Sequence, residues 1–130
     1  MIKPIMKSEF FLRLPSEDAG PDDAATGQDL LDTLHEHEHE CVGLAANMIG
    51  VRKRIICVKD GNRALLMYNP QILEQVNSYQ TSEGCLSLSG ERPCTRYRRI
   101  KVEYLDENFV HRIKNFSGYT AEIIQHEIDH

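Results

Sequence analysis

No stretch of this 130-residue chain is apolar for long enough to cross a membrane or to act as a signal peptide. The opening, MIKPIMKSEFFLRLP, is interrupted by Lys3, Pro4, Lys7, Glu9 and Arg13, so a cytoplasmic protein with no membrane partner is expected. Positive charge is also scarce. Fifteen Lys and Arg against twenty Asp and Glu leave a formal charge of -5, which gives no general attraction to nucleic acid or anionic lipid. The four cysteines, Cys41, Cys57, Cys85 and Cys94, form no CxxC pair. In a reducing compartment each is then a free thiol or a metal ligand rather than half of a disulfide. Internal repeats are absent, and the one biased tract is HEHEHE at 35–40.

What is present describes a soluble globular protein, with 41% hydrophobic and 27% charged residues. A chain of this length buries roughly two-thirds of its unfolded surface and is read as one domain over 1–130. Residues 15–27, rich in Pro, Gly and Asp, read as an acidic loop. Leu30, Leu31 and Leu34 then recur at helical spacing and predict a helix from about Gln28 to Glu40. RIICVKD and RALLMYNP flank Gly61-Asn62 as a hairpin, and RRIKVEYL returns through Asp106 to Asn108 as a second antiparallel pair. Ser117 or Thr120 is placed to cap a closing helix. The expectation is an α+β fold, with antiparallel sheets packed around a C-terminal helix and a further helix near the N-terminus.

That closing helix ends in IIQHEIDH. Residues four apart lie about 40° from each other around a helix axis, so His126 and His130 can face one ion with Glu127 alongside. A zinc-like ion lowers the pKa of a water toward about 7, and a neighbouring glutamate can take the proton. The same template recurs in HEHEH, but His35 and His39 point roughly 95° and 135° from the centre of the leucine stripe. They are expected to face water. A third ligand is sought in SEGCLSLSG, where Cys85 sits in a glycine-flanked turn; a thiolate suits zinc or iron(II), whereas a lone cysteine is more often a small buried hydrophobe.

Three segments in order, VGLAANMIG, EGCLS and QHEIDH, resemble the signature motifs of peptide deformylases, which remove the formyl group from the N-terminal formylmethionine of new bacterial proteins. The resemblance runs from about residue 41 to the end, with YNPQIL fitting between the first two motifs. It implies that Cys85, His126 and His130 hold one divalent metal, Fe2+, with Zn2+, Ni2+ or Co2+ able to replace it in purified protein. It also implies Glu127 as general base and the Leu86 backbone N-H as a donor to the developing oxyanion. Val42, Gly43, Tyr119, Glu122 and Ile123 would line the substrate cleft. The expected partners are formylated nascent peptides, near the ribosome and without direct nucleic-acid binding.

Two positions depart from the family pattern G-x-G-L-A-A-x-Q: Cys41 stands at the first glycine and Met48 at the glutamine. A thioether cannot donate a hydrogen bond, and loss of one oxyanion donor costs about 10² to 10³ in kcat. Weakened deformylase activity is therefore expected. The alternative is a metal-binding paralogue with little turnover that serves as a peptide-binding or regulatory protein. Glu122 is a poor wall for a methionine side chain unless an arginine from RYRR pairs with it or it turns to water. Family members usually continue the closing helix for another turn beyond the position of His130.

Overall fold

The computed structural model describes residues 1–84 and 90–130. A single helical turn, α1 (Glu9–Leu12), is capped by Ser8, whose hydroxyl accepts the Phe11 N-H at 3.2 Å. A 3₁₀ turn at Pro21–Asp23 leads into α2 (Ala24–Glu36). Pro21 presets the first helical φ, and the Asp23 carboxylate accepts the Gly20 N-H at 2.9 Å. The helix thus starts inside the segment expected to be loop and stops four residues short of Glu40. Its buried stripe is Gly27, Leu30, Thr33 and Leu34. At Gly27 a Cβ would sit 2.0 Å from the Tyr68 hydroxyl, so only glycine lets the helix lie this close to the sheet.

Five antiparallel strands form one sheet in the order β1-β2-β3-β4-β5, and they are β1 (Gly43–Ala45), β2 (Ile55–Asp60), β3 (Arg63–Gly84), β4 (Glu91–Leu105) and β5 (His111–Ser117). The two expected hairpins are present, joined edge to edge, because β3 does not stop at Pro70. Asn69 takes a positive φ of 53° and Pro70 donates no N-H. The register slips there and again after Ile72, and the strand then runs on to Gly84. Bulges absorb the proline without ending the strand.

The run Ile55, Ile56, Cys57 and Val58 is buried on both faces. Cys57 faces α2, its thiol 3.7 Å from the Leu30 carbonyl. Gly43, paired with Val58, faces α3 (Gly118–Ile128) on the other side. The β1-β2 end of the sheet is therefore the middle of three layers, which explains a continuous apolar run where alternation would mark a half-exposed strand. Ser117 occupies the N-cap of α3 without a side-chain bond, while the Thr120 hydroxyl donates to Asp60 at 3.1 Å. Among the described residues no helix is long and apolar enough to cross a membrane.

Candidate active site

The packing of α3 on β1 and β2 fixes which of its faces is buried: Ala121, Ile124 and Gln125 face the sheets, as do Ile123 and Glu127. His126 and His130 lie one turn apart at the edge of this face. Their ring centroids are 5.2 Å apart, and one ligand atom each from His126, Glu127 and His130 fall within 4.8 Å of one another. Burial, then the neighbouring His126, pushes the His130 pKa down to about 4, so at neutral pH it carries a lone pair rather than a second proton. Glu127 is 4% exposed, and its Oε1 has no hydrogen-bond partner among the described residues. Burial, then the charge of Glu83, raises its pKa to about 8. Two imidazoles, one held neutral, beside a carboxylate oxygen that lacks a partner make a donor set that suits a divalent ion. The expected third ligand, Cys85, and the expected N-H donor, Leu86, lie outside the described residues.

His126 is oriented from behind. Its Nδ1 lies 2.7 Å from Glu83 Oε1, and Arg96 grips both Glu83 oxygens at 2.7 to 3.1 Å while also donating to Asp129 at 2.6 Å. Burial raises the Glu83 pKa, but the Arg96 hydrogen bonds outweigh it and hold the carboxylate at about 2. The planar guanidinium suits this two-sided grip, which a lysine would not reproduce. Gln125 adds a second tie, accepting the Tyr97 N-H and donating to the Tyr97 carbonyl, both at 2.8 Å. Sequence reasoning passed over Glu83, Arg96, Gln125 and Asp129. The available signals were Glu83 two residues before Cys85, and Arg96 in the RYRR run, which suggested only a partner for Glu122.

A cleft of about 570 Å³ opens beside the histidines, lined by Val42, Gly43, Met48, Tyr119, Glu122, Ile123, His126 and Glu127 among others. Gly43 does more than line it. A Cβ there would lie 2.8 Å from Ile123 Cγ2 and 2.9 Å from Glu127 Oε2, so the backbone of β1 serves as the floor under the glutamate. Met48 is 1% exposed, and its sulfur accepts the Ala45 N-H at 3.3 Å. Neighbouring Asn47 does not line this cleft; its amide donates to the Leu12 carbonyl at 3.4 Å, and it borders a smaller cavity with Glu127 and His130. Cys41, half-buried, also borders the cleft, and burial followed by Glu127 pushes its thiol up to about 11. Glu122 accepts the Tyr79 hydroxyl at 3.3 Å. Of the RYRR arginines that are candidate partners for it, Arg96 is committed to Glu83 and Asp129 instead.

Of the HEHEH histidines, His39 borders the same cleft and His35 does not. His35 is at the last turn of α2 and His39 lies beyond its end, with side chains 82% and 93% exposed against Glu38. The helical angle expected for His39 does not apply, because the helix has already stopped, yet both rings face water.

Comparison with known proteins gives one answer. A family model described as polypeptide deformylase matches residues 6–130. A peptide deformylase of Clostridium beijerinckii is 52% identical over 130 residues, covering 100% of this chain and 96% of that protein. The structure of peptide deformylase from Thermotoga maritima superposes with a TM-score of 0.89 at 27% identity, covering 99% of this chain and 90% of that one. A Met-Ala-Ser-bound class I type b peptide deformylase from Acinetobacter baumannii gives 0.88 at 28% identity, over 99% and 93%. With sequence model, relative and architecture all in agreement, the chain belongs to the polypeptide deformylase family.

Proposed function

We propose that this protein removes the formyl group from formylmethionine at the N-terminus of nascent polypeptides, in the cytoplasm and near the ribosome, with a kcat lowered by Met48. Family membership itself makes the chain a metal-dependent hydrolase of N-formyl peptides; the finer reading concerns its efficiency, its metal and its residues. The observation that carries it is the convergence of His126, Glu127 and His130, the first two of which line a cleft of about 570 Å³.

His126 and His130, with Cys85, would hold one divalent ion, Fe2+ in the cell and Zn2+, Ni2+ or Co2+ as replacements. When bound, the ion supplies a Lewis acid that acidifies water and polarises the formyl carbonyl. Glu127, held rigidly over Gly43, takes the proton of the attacking water and delivers it to the departing α-amine, so that the amide C-N bond breaks to give formate and a free N-terminus. Glu83 and Arg96 fix the His126 ring, and with it the position of the attack. The backbone N-H of Leu86 is the proposed oxyanion donor. Val42, Gly43, Tyr119, Glu122 and Ile123 form the proposed walls for the peptide.

The second reading, a paralogue with little turnover that binds peptides, is favoured by Met48: its sulfur is occupied by the Ala45 N-H and offers the cleft no donor. Metal analysis with turnover of a formyl-Met peptide separates the two. One equivalent of metal with measurable formate release is expected. Metal without any release leaves the binding protein, and Cys85→Ser retaining its full metal content would remove Cys85 from the ligand set.

A further inference from the structure

The described lining of the cleft holds five carboxylates and no lysine or arginine. Four of them have evident occupations. Glu83 is gripped by Arg96, and Glu127 is buried beside the histidines. Glu38 lies 3.9 Å from Lys59, and Glu40 lies 3.6 Å from His37. Glu122 is the exception. It has no ion-pair partner among the described residues, and two arginines of β4 are engaged elsewhere. Arg96 serves Glu83 and Asp129, while Arg98 lies over the Tyr79 ring, 4.7 Å from its centroid. What Glu122 shares the lining with is a set of other carboxylates, Glu83 among them. Carboxylates lining one cleft repel when ionised, and a cation brought by a ligand relieves that repulsion.

The apolar walls of the same cleft, Val42, Met48 and Ile123, suit a methionine side chain and leave Glu122 with nothing to bind in it. An extended peptide advances about 3.3 Å per residue, so side chains after the methionine pass along the remaining wall, where Glu40 also stands at the rim. We infer, resting on the deformylase reading above, that Glu122 is a specificity-determining residue and that the cleft selects formyl-methionyl peptides with lysine or arginine at the second or third position. The recognition is electrostatic, so it acts chiefly on KM and weakens as salt rises.

The test compares formyl-Met-Lys-Ala and formyl-Met-Ala-Lys with their glutamate counterparts, using wild type and Glu122→Gln loaded with metal. At low ionic strength wild type should favour the lysine peptides in kcat/KM by about 5- to 10-fold, as for a partly screened ion pair. The preference should sit in KM, shrink in high salt, and fall to within about 2-fold in Glu122→Gln. Equal rates on both charges, or a lysine preference that survives in Glu122→Gln, would overturn it. If no formyl peptide is turned over, the deformylase reading fails, and direct binding of Met-Lys-Ala and Met-Glu-Ala decides the inference. A lysine preference lost in Glu122→Gln then upholds it, and equal affinity overturns it. Circular dichroism of the variant guards against misfolding. Should Glu122→Gln not fold, the wild-type ratio is followed against salt: a preference that shrinks upholds the inference, and one that stays constant overturns it.

Discussion

Met48 and Gly43 set what this site can do, one by what it lacks and the other by what it leaves room for. A buried thioether stands where the family pattern has a glutamine, in the same cleft as His126 and the proposed base Glu127. Met48→Gln should raise kcat on a formyl-Met peptide about 10-fold or more with little change in KM, because an oxyanion bond strengthens mainly in the transition state. A wild type already as fast as an ordinary deformylase would show that another group supplies the donor. At Gly43 the constraint is steric. The new methyl of Gly43→Ala would press on Ile123 and Glu127 at under 3.0 Å, and because misplacement by an ångström can cost about 10²-fold, kcat should drop by roughly 10- to 100-fold. Gly20→Ala is the control, with nothing within 4 Å of the added carbon; equal losses in both variants would refute the steric account.

At the scale of elements, α3 is fastened at its middle by Gln125 and at its end by Asp129. Tyr97 lies on β4 just before the strand pairs with β5 at Arg99, so its outward N-H and carbonyl have no strand to bond, and Gln125 takes both. Gln125→Ala would orphan those groups and should destabilise the fold by roughly 1–3 kcal/mol in denaturant titration. No loss of stability would mean that water replaces the amide. The last turn is held by Arg96 on Asp129 at 2.6 Å and by the His130 N-H on the Glu127 carbonyl at 3.2 Å, and a metal on His126 and His130 would add a clamp across it. Stripping the metal should therefore raise hydrogen exchange across 122–130 and leave α2 unchanged; equal protection with and without metal would contradict this. The sequence revealed α3 well, since its histidine spacing is local and periodic. It revealed β3 poorly, because whether Pro70 ends a strand or is absorbed in a bulge depends on the partner β4. Glu83 and Arg96 were hidden for the same reason, as their meeting is a matter of cross-strand register and leaves no mark on the spacing of either strand. The start of α2 was obscured by acidic and glycine residues that ordinarily mark loops, and only the contact of Gly27 with Tyr68 explains why that glycine sits in a helix.

For the whole molecule, pH acts on the metal-free fold through two buried groups of opposite sign. Glu127 binds its proton more tightly folded, with a pKa of about 8 against an ordinary 4.5; its contribution is full below 4.5 and is lost as pH rises to 8. His130 binds more weakly folded, about 4 against 6.5; its contribution is full above 6.5 and is lost as pH falls to 4. The two offset each other between about 4.5 and 6.5, and above 6.5 only the glutamate remains, so the stability of metal-free protein should fall from pH 6.5 to 8. A flat or rising melting temperature across that window would show that Glu127 ionises without cost. Glutamine at both His35 and His39 should leave metal content unchanged, since those rings face water and neither joins the group formed by His126, Glu127 and His130. The strand order β1-β2-β3-β4-β5 carries one more consequence, for the time course of folding. Every strand pairs with its neighbour in sequence, so the sheet can zip up hairpin by hairpin at small loop-closure cost, whereas seating α3 on β1 joins Gly43 to Ile123 across 80 positions (123 − 43). The sheet should form early and without metal, with the histidine pair reaching its place in the last step. Trimming the junction with Ile124→Val would then quicken unfolding and leave the folding rate almost untouched.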